Sequence, residues 1–507
     1  MFDTIAILPE IVLTLAGIFV MLTSAFFERG GRRASTVVAH LGLLATVIAV
    51  GYQWNRGGAY FRGMFLIDSF GLFFHLLFLL IAALVMLSVS DYLDRENLPP
   101  AEFHALILFG TVGMGIMVSS SDLILIFIGL EISSLASYIL VGFRRDASPS
   151  SEAALKYFLL GSFATAFLLY GIALIFGATG STRLPGINVA LLGGHQTATL
   201  AAPAGSFPGQ EVQTAQVILN AEFPVSLAAL AIALVFVGLA FKVSAAPFQI
   251  WTPDVYQGAP TPASAFLSTG PKAAAFAAFL RIFLSGFGGY SQSWAWLIWI
   301  AAVLSMFIGN LAALLQTNIK RMLAYSAIAH AGYMLVAFTA HSAEGAGAVI
   351  FYLAAYAFMN VGAFMVVTHI GGPGERYLEI DDFAGLGYRF PFLAGALSIF
   401  LLSLIGVPLT AGFFGKFYIF RAALHGDLLW LTVLAGINSG IAAYYYLRVL
   451  VAMYMSTPAS AVPCERLRIG MKLGLLISVL GTIILGVFPQ PILDFANRAA
   501  QLLQQGQ

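Results

Sequence analysis

About fourteen apolar stretches, each close to the roughly 20 residues an α-helix needs to cross a bilayer, follow one another along this chain. They fall near 5–26, 36–53, 66–90, 103–119, 122–142, 153–177, 223–247, 261–284, 296–315, 322–340, 346–370, 391–415, 427–452 and 470–489. Inside lipid a backbone N–H or C=O finds no water, so such stretches are restricted to helices. Charge agrees: 9% of the 507 residues are charged, against about 25% in a soluble chain. The expected fold is all-α and integral to the membrane, with about 14 transmembrane helices. The first stretch lacks a basic leader and contains Pro9 and Glu10, so it reads as a retained span.

Short loops set the orientation. With the N-terminus outside, the inside loops hold twelve Lys or Arg residues, among them Arg144, Arg145, Lys320 and Arg321, and the outside loops and tail hold five. Both termini are therefore expected on the periplasmic side of a bacterial inner membrane. A net charge of +1 gives no argument for nucleic acid, and the bilayer is the expected surrounding. The single cysteine, Cys464, falls in a polar loop, and an iron–sulfur cluster needs about four thiolates. No histidine pair has metal spacing, so no cofactor or metal is expected on this chain.

Lysines stand where hydrocarbon is expected. Lys242 follows about nineteen uncharged residues, and Lys272 lies about a dozen residues into the next span. An ammonium group at that depth costs about 2.5–3.5 kcal/mol on insertion scales, so it reads as functional. Pro247 lacks an amide proton and its ring crowds the carbonyl of Val243, which predicts a kink or unwinding just after Lys242. Gly270-Pro271 marks a second weak point, beside Lys272. Gly406-Val-Pro408, followed by Lys416, repeats the pairing of a break with a lysine.

Other groups join them. Glu131 is the acidic side chain expected at mid-membrane depth, with Ser134 and Tyr138 on its helix face. A structural carboxylate capping a backbone break is the alternative. Lys156 opens its span one turn in, where snorkelling and function are both open. His330, beside Ser326 and Tyr333, reads as packing or as a relay. Glu10 reads as an interfacial carboxylate and His75 as hydrogen-bonded packing. Ser264, Ser268 and Lys272 form a polar stripe on one helix face.

The breaks fall in the seventh and twelfth spans, five apart. An odd offset reverses direction, which fits two inverted five-helix repeats, spans 4–8 and 9–13. The expected organisation is one membrane domain: residues 1–102 for three leading spans, 103–284 and 296–452 for the repeats, and 453–507 for a last span and tail. Residues 178–222 read as a long external loop.

Seven runs carry a family likeness: Gly129-Leu-Glu-Ile, Ala154-Leu-Lys-Tyr-Phe, Phe241-Lys-Val-Ser-Ala-Ala-Pro-Phe, Trp251-Thr-Pro-Asp-Val-Tyr-Gln-Gly-Ala-Pro-Thr, Gly270-Pro-Lys-Ala-Ala, Ala324-Tyr-Ser-Ala-Ile-Ala-His-Ala-Gly-Tyr and Gly412-Phe-Phe-Gly-Lys-Phe. Together they resemble the antiporter-like membrane subunits of proton-pumping NADH–quinone oxidoreductase, respiratory complex I. The Trp-Thr-Pro-Asp-Val-Tyr run, and lysine at 416 where relatives carry glutamate, favour one branch of that family. The resemblance implies a proton channel in which Glu131 pairs with Lys242, Lys272 is central and Lys416 terminal, with Lys156 and His330 at matched positions. It implies a non-redox subunit of a translocase, with NADH, FMN, iron–sulfur clusters and quinone in partner subunits and M- and K-type subunits as neighbours. Gln249 departs from the family's usual histidine and cannot titrate. Three rival readings remain: a subunit of a multisubunit cation/proton antiporter or membrane-bound hydrogenase, a stand-alone solute transporter, and a scaffold with vestigial polar residues.

Overall fold

The computed structural model describes residues 3–26, 31–192, 225–457 and 466–505. Cys464 and most of the expected external loop lie outside them. The leading helices are α1 (Leu8–Phe26), α2 (Gly31–Gln53), α3 (Ser69–Arg95), α4 (Pro100–Ser119), α5 (Leu123–Val141) and α6 (Ser148–Thr179). A two-stranded antiparallel hairpin, β1 (Gly58–Tyr60) and β2 (Phe65–Ile67), joins α2 to α3. The short α7 (Leu184–Leu191) occupies part of the expected loop. Then come α8 (Val225–Val243), α9 (Trp251–Gly258), α10 (Thr261–Arg281), α11 (Ser291–Leu314), α12 (Ile319–Thr339) and α13 (Ala343–Ile370). The chain continues through α14 (Leu386–Arg389), α15 (Pro391–Ile405), α16 (Ala411–His425), α17 (Leu429–Met455), α18 (Ile469–Val487) and α19 (Gln490–Gln505).

Ten of the described helices, α1–α6, α11, α12, α13 and α18, are long and apolar enough to cross a membrane. The remaining expected spans take other forms. Residues 223–247 give the shorter α8, and 391–415 split into α15 and the start of α16. Residues 261–284 give α10, diluted by Lys272 and Arg281, and 427–452 fall almost wholly in α17. At the centre stands α13, packed by α3, α10, α12, α15, α16, α18 and α19 and buried along nearly its whole length.

Both expected breaks are present and end alike. At the end of α8, Ser244 turns left-handed (φ 64°), and Ala245 N–H reaches back to the Ala240 carbonyl at 2.8 Å. At the end of α15, Gly406 does the same (φ 97°), and Val407 N–H reaches the Leu402 carbonyl at 3.0 Å. These backward bonds satisfy carbonyls that a helix end otherwise leaves open. The second break is also tight sideways: a Cβ on Gly412 would lie 1.8 Å from the Ser403 carbonyl oxygen, so only glycine lets α16 start against α15.

One expectation fails. No break follows Gly270-Pro271, because α10 runs unbroken through Pro271. A single missing N–H costs one bond, and full packing of both helix faces offsets it.

Candidate functional site

Three lysines come from three elements. Lys242 is the penultimate residue of α8, and its ammonium donates to Ser134 Oγ at 2.7 Å and Tyr138 Oη at 3.3 Å. It also lies 5.3 Å from the Tyr138 ring centroid, and 5.7 Å from those of Tyr157 and Phe241. Such faces attract a cation where water is scarce. Glu131 stands one turn before Ser134 on α5. No ion pair within 4.0 Å joins it to Lys242 among the described residues, yet its charge is felt there. Glu131 Oε1 is buried without a hydrogen-bond partner. Both side chains are half-buried on this chain's own surface.

A small cavity of about 10 Å³ lies beside Lys242, lined also by Ser134, Ser137, Leu267 and Pro271. That is about the least space one water needs. Leu267 matters here because Pro271, four residues on, cannot donate to its carbonyl. A polar, water-sized gap therefore lies between Lys242 and the helix that carries Lys272.

Lys272, 1% exposed, donates to the Ala327 carbonyl of α12 at 2.9 Å. One turn before it, Ser268 Oγ accepts from Asn360 of α13 at 2.7 Å. Next to Ala327, the Ser326 and Tyr446 hydroxyls share a short hydrogen bond. Tyr446 Oη also reaches His330 Nε2 at 3.1 Å, and His330 Nδ1 meets Tyr352 Oη at 2.5 Å. The charges of Lys272 and Lys416 both reach His330. Lys416, 4% exposed, donates to the Ile405 carbonyl and to Ser439 Oγ, both at 2.8 Å, and lies 4.7 Å from the Tyr333 ring centroid. Its ammonium thus closes the end of α15 across the break, where a positive charge suits the helix dipole.

The sequence residues therefore divide. Lys272, His330 and Lys416 are buried, with the charges of both lysines reaching His330, and Glu131 with Lys242 forms a half-buried group beside the small cavity. Lys156 stands apart: its side chain is 43% exposed and pairs with Glu152 at 2.8 Å and Asp254 at 2.9 Å. It rims a cavity of about 420 Å³ that also touches Arg144, Arg321 and Glu375. Snorkelling describes its position.

Two charged residues take buried partners far along the chain. Lys320 is fully buried: it donates to the Ala259 carbonyl at 2.6 Å and pairs with Glu375 at 2.9 Å. The connection after α13 folds over it, which the hydropathy of α12 alone does not reveal. Glu10 lies 6% exposed against His75, a partner its own helix does not reveal.

Sequence reasoning also passed over Tyr352, Tyr446, Ser439 and the amides. Asn310 donates to Tyr333 Oη at 3.2 Å and to Asn438 Oδ1 at 3.1 Å, and accepts from Tyr445 Oη at 3.1 Å. This cross-links α11, α12 and α17. The signal was available, since an amide within an apolar span needs a partner as a buried charge does.

Comparison with known proteins matches this architecture. Residues 120–442 match the family described as NADH:quinone oxidoreductase/Mrp antiporter, TM. The chain is 51% identical over 506 residues to NADH-quinone oxidoreductase subunit N 1 of Solibacter usitatus, covering 99% of this chain and 98% of that one. It is 42% identical to NADH-quinone oxidoreductase subunit N of Trichlorobacter lovleyi, covering 99% of each. A chain of respiratory complex I from Thermus thermophilus superposes with a TM-score of 0.77 at 33% identity, covering 96% of this chain and 98% of that one. A chain of the Mrp complex from Dietzia shares the fold, with a TM-score of 0.82 at 21% identity over 99% and 97% of the two chains. With its two interrupted helices and lysine-bearing polar line, the chain belongs to the NADH:quinone oxidoreductase/Mrp antiporter membrane family and, within it, to the subunit N relatives.

Proposed function

We propose that this chain is a proton-translocating, non-redox subunit of a membrane NADH–quinone oxidoreductase, driven by electron transfer in partner subunits. One observation carries the reading: Lys272, His330 and Lys416 lie on one buried polar line, and Lys242 and Lys416 each sit beside an interrupted helix. Every amine on that line is held by oxygen atoms, and hydroxyls that both donate and accept stand between them. The proton passes from Lys242 across the water-sized gap to Lys272. From there it follows Ser326, Tyr446 and His330 toward Lys416. Glu131 acts on Lys242 through its charge, so a change in its protonation alters the hold of Lys242 on its proton.

In this reading the chain comprises fourteen spans with two inverted five-helix repeats, 103–284 and 296–452, after three leading spans in 1–102 and before the last span and tail in 453–507. It lies in a bacterial inner membrane with both termini outside and has M- and K-type subunits as neighbours. NADH, FMN, iron–sulfur clusters and quinone are assigned to partner subunits. Gln249 stands where relatives carry histidine, so proton intake is assigned to the cavity rimmed by Lys156 instead. The K242A variant of the assembled complex, reconstituted in liposomes, tests the reading. Proton pumping falls sharply while NADH oxidation persists. Unchanged proton-to-electron stoichiometry would count against it.

A further inference from the structure

Away from the polar line, and outside the family match at 120–442, Glu10 of α1 and His75 of α3 meet in the corner formed by α1, α3 and α4. They are 6% and 5% exposed, and His75 Nε2 lies 2.8 Å from Glu10 Oε1. The other ring nitrogen, Nδ1, lies 2.8 Å from the Gly71 carbonyl. A carbonyl only accepts, so Nδ1 carries a hydrogen. The Nε2 to Oε1 bond then needs one more proton. It rests on the ring, giving imidazolium and carboxylate, or on the carboxyl, giving neutral imidazole and acid. Either way the pair holds one shared proton and has no net charge.

The second carboxyl oxygen, Glu10 Oε2, is buried with no hydrogen-bond partner. An unsatisfied buried oxygen costs free energy, and protonating it is one way to relieve that cost. The surroundings are otherwise quiet. α4 offers Gly115, which has no side chain, and α2 offers Gln53, whose amide donates to the Ile5 and Ala6 carbonyls at 2.7 and 2.9 Å. The further charge felt at His75 is Asp68 of α3, which accepts from Gly71 N–H and pairs with Arg281 of α10 at 2.8 Å.

We propose that Glu10 and His75 form a proton-binding site distinct from the lysine line. It holds one proton at rest and takes a second as the pH falls, so that ring and carboxyl are both protonated. The ligand is the proton itself. The Asp68–Arg281 pair joins this corner to α10, the helix that carries Lys272.

Infrared pH titration of the assembled complex in liposomes, in water and in deuterium oxide, tests this. The wild type minus E10Q difference is expected to show a deuterium-sensitive carboxylic-acid band whose intensity or frequency changes as the pH is lowered. H75Q is expected to move that titration. G115A keeps both titrating groups, but its methyl would lie 2.8 Å from Glu10 Oε1 and 2.9 Å from His75 Nε2, so it should displace the same band. NADH oxidation by each variant checks assembly. A difference spectrum with no titrating carboxyl band, or a band unmoved by both H75Q and G115A, overturns the proposal. The band persists in K242A, so failure of the pumping reading would leave this result standing.

Discussion

Glu375 offers a quantitative test of how the second half of the first broken helix is held. Its carboxylate accepts from Thr261 N–H and Oγ, both at 2.7 Å, and from Lys320 at 2.9 Å. Lys320 in turn donates to the Ala259 carbonyl, so one ion pair pins the α9–α10 junction to the start of α12. Removing one partner of a buried pair costs about 3–5 kcal/mol, because the other charge stays behind. In E375Q the amide still serves Thr261, and Lys320 keeps Ala259. The loss expected is therefore near the lower end, about 3 kcal/mol. K320M leaves Glu375 its Thr261 donors and Arg144 at 3.9 Å, so its loss is no larger. The double variant strands neither, so it should recover about 2–3 kcal/mol relative to the sum of the singles. Equilibrium unfolding of the purified chain in mixed micelles, followed by tryptophan fluorescence, measures all three. Strict additivity would refute the reasoning. Acid gives an independent handle. Burial pushes the Glu375 carboxyl up, but the Lys320 charge and the Thr261 donors outweigh it and hold it below the usual range. A folded value below the unfolded one stabilises the fold above about pH 4.3, and that contribution fades as pH falls further. E375Q should lack this acid-dependent part.

Three further outcomes are expected. G412A places a methyl 1.8 Å from the Ser403 carbonyl oxygen, so it should destabilise by about 3 kcal/mol and abolish pumping; micelle unfolding and a liposome pumping assay check both. Y446F removes the hydroxyl shared by Ser326 and His330, so protons pumped per electron should fall while NADH oxidation continues; unchanged stoichiometry would remove Tyr446 from the path. K156A breaks exposed pairs and should leave stability essentially unchanged, with slower pumping at unchanged stoichiometry; complete loss of pumping would return Lys156 to the buried path.

Much of this was legible from residue spacing. Hydropathy located the long helices because lipid permits few alternatives, and Pro247 and Gly406-Val-Pro408 announced the breaks because proline removes a helix donor and glycine readily turns left-handed. The same logic overreached at Pro271, where dense packing holds α10 together. Lys272 and Lys416 were found because an amine in an apolar run is costly, whereas Tyr446 and Tyr352 look like ordinary core until their hydroxyls are placed. Partners distant along the chain were hidden for a simpler reason. Nothing local to Glu10 points to His75, and nothing local to Lys320 points to Glu375. Side-chain pairing across helices is set by how the helices pack, not by the pattern within any one of them.

The contact between Lys416 and the Ile405 carbonyl has a consequence for wetting. The amine serves as the plug on a severed backbone, so taking the whole amine away would leave the Ile405 carbonyl only the 3.4 Å bond from Ser439 Oγ and room for a molecule of water. A neutral amine keeps two N–H donors for Ile405 and Ser439, so it is the amine itself, not its charge, that stands in place of water at this joint. High-resolution density for the K416M variant should show a solvent peak against Ile405, and a dry joint there would refute this.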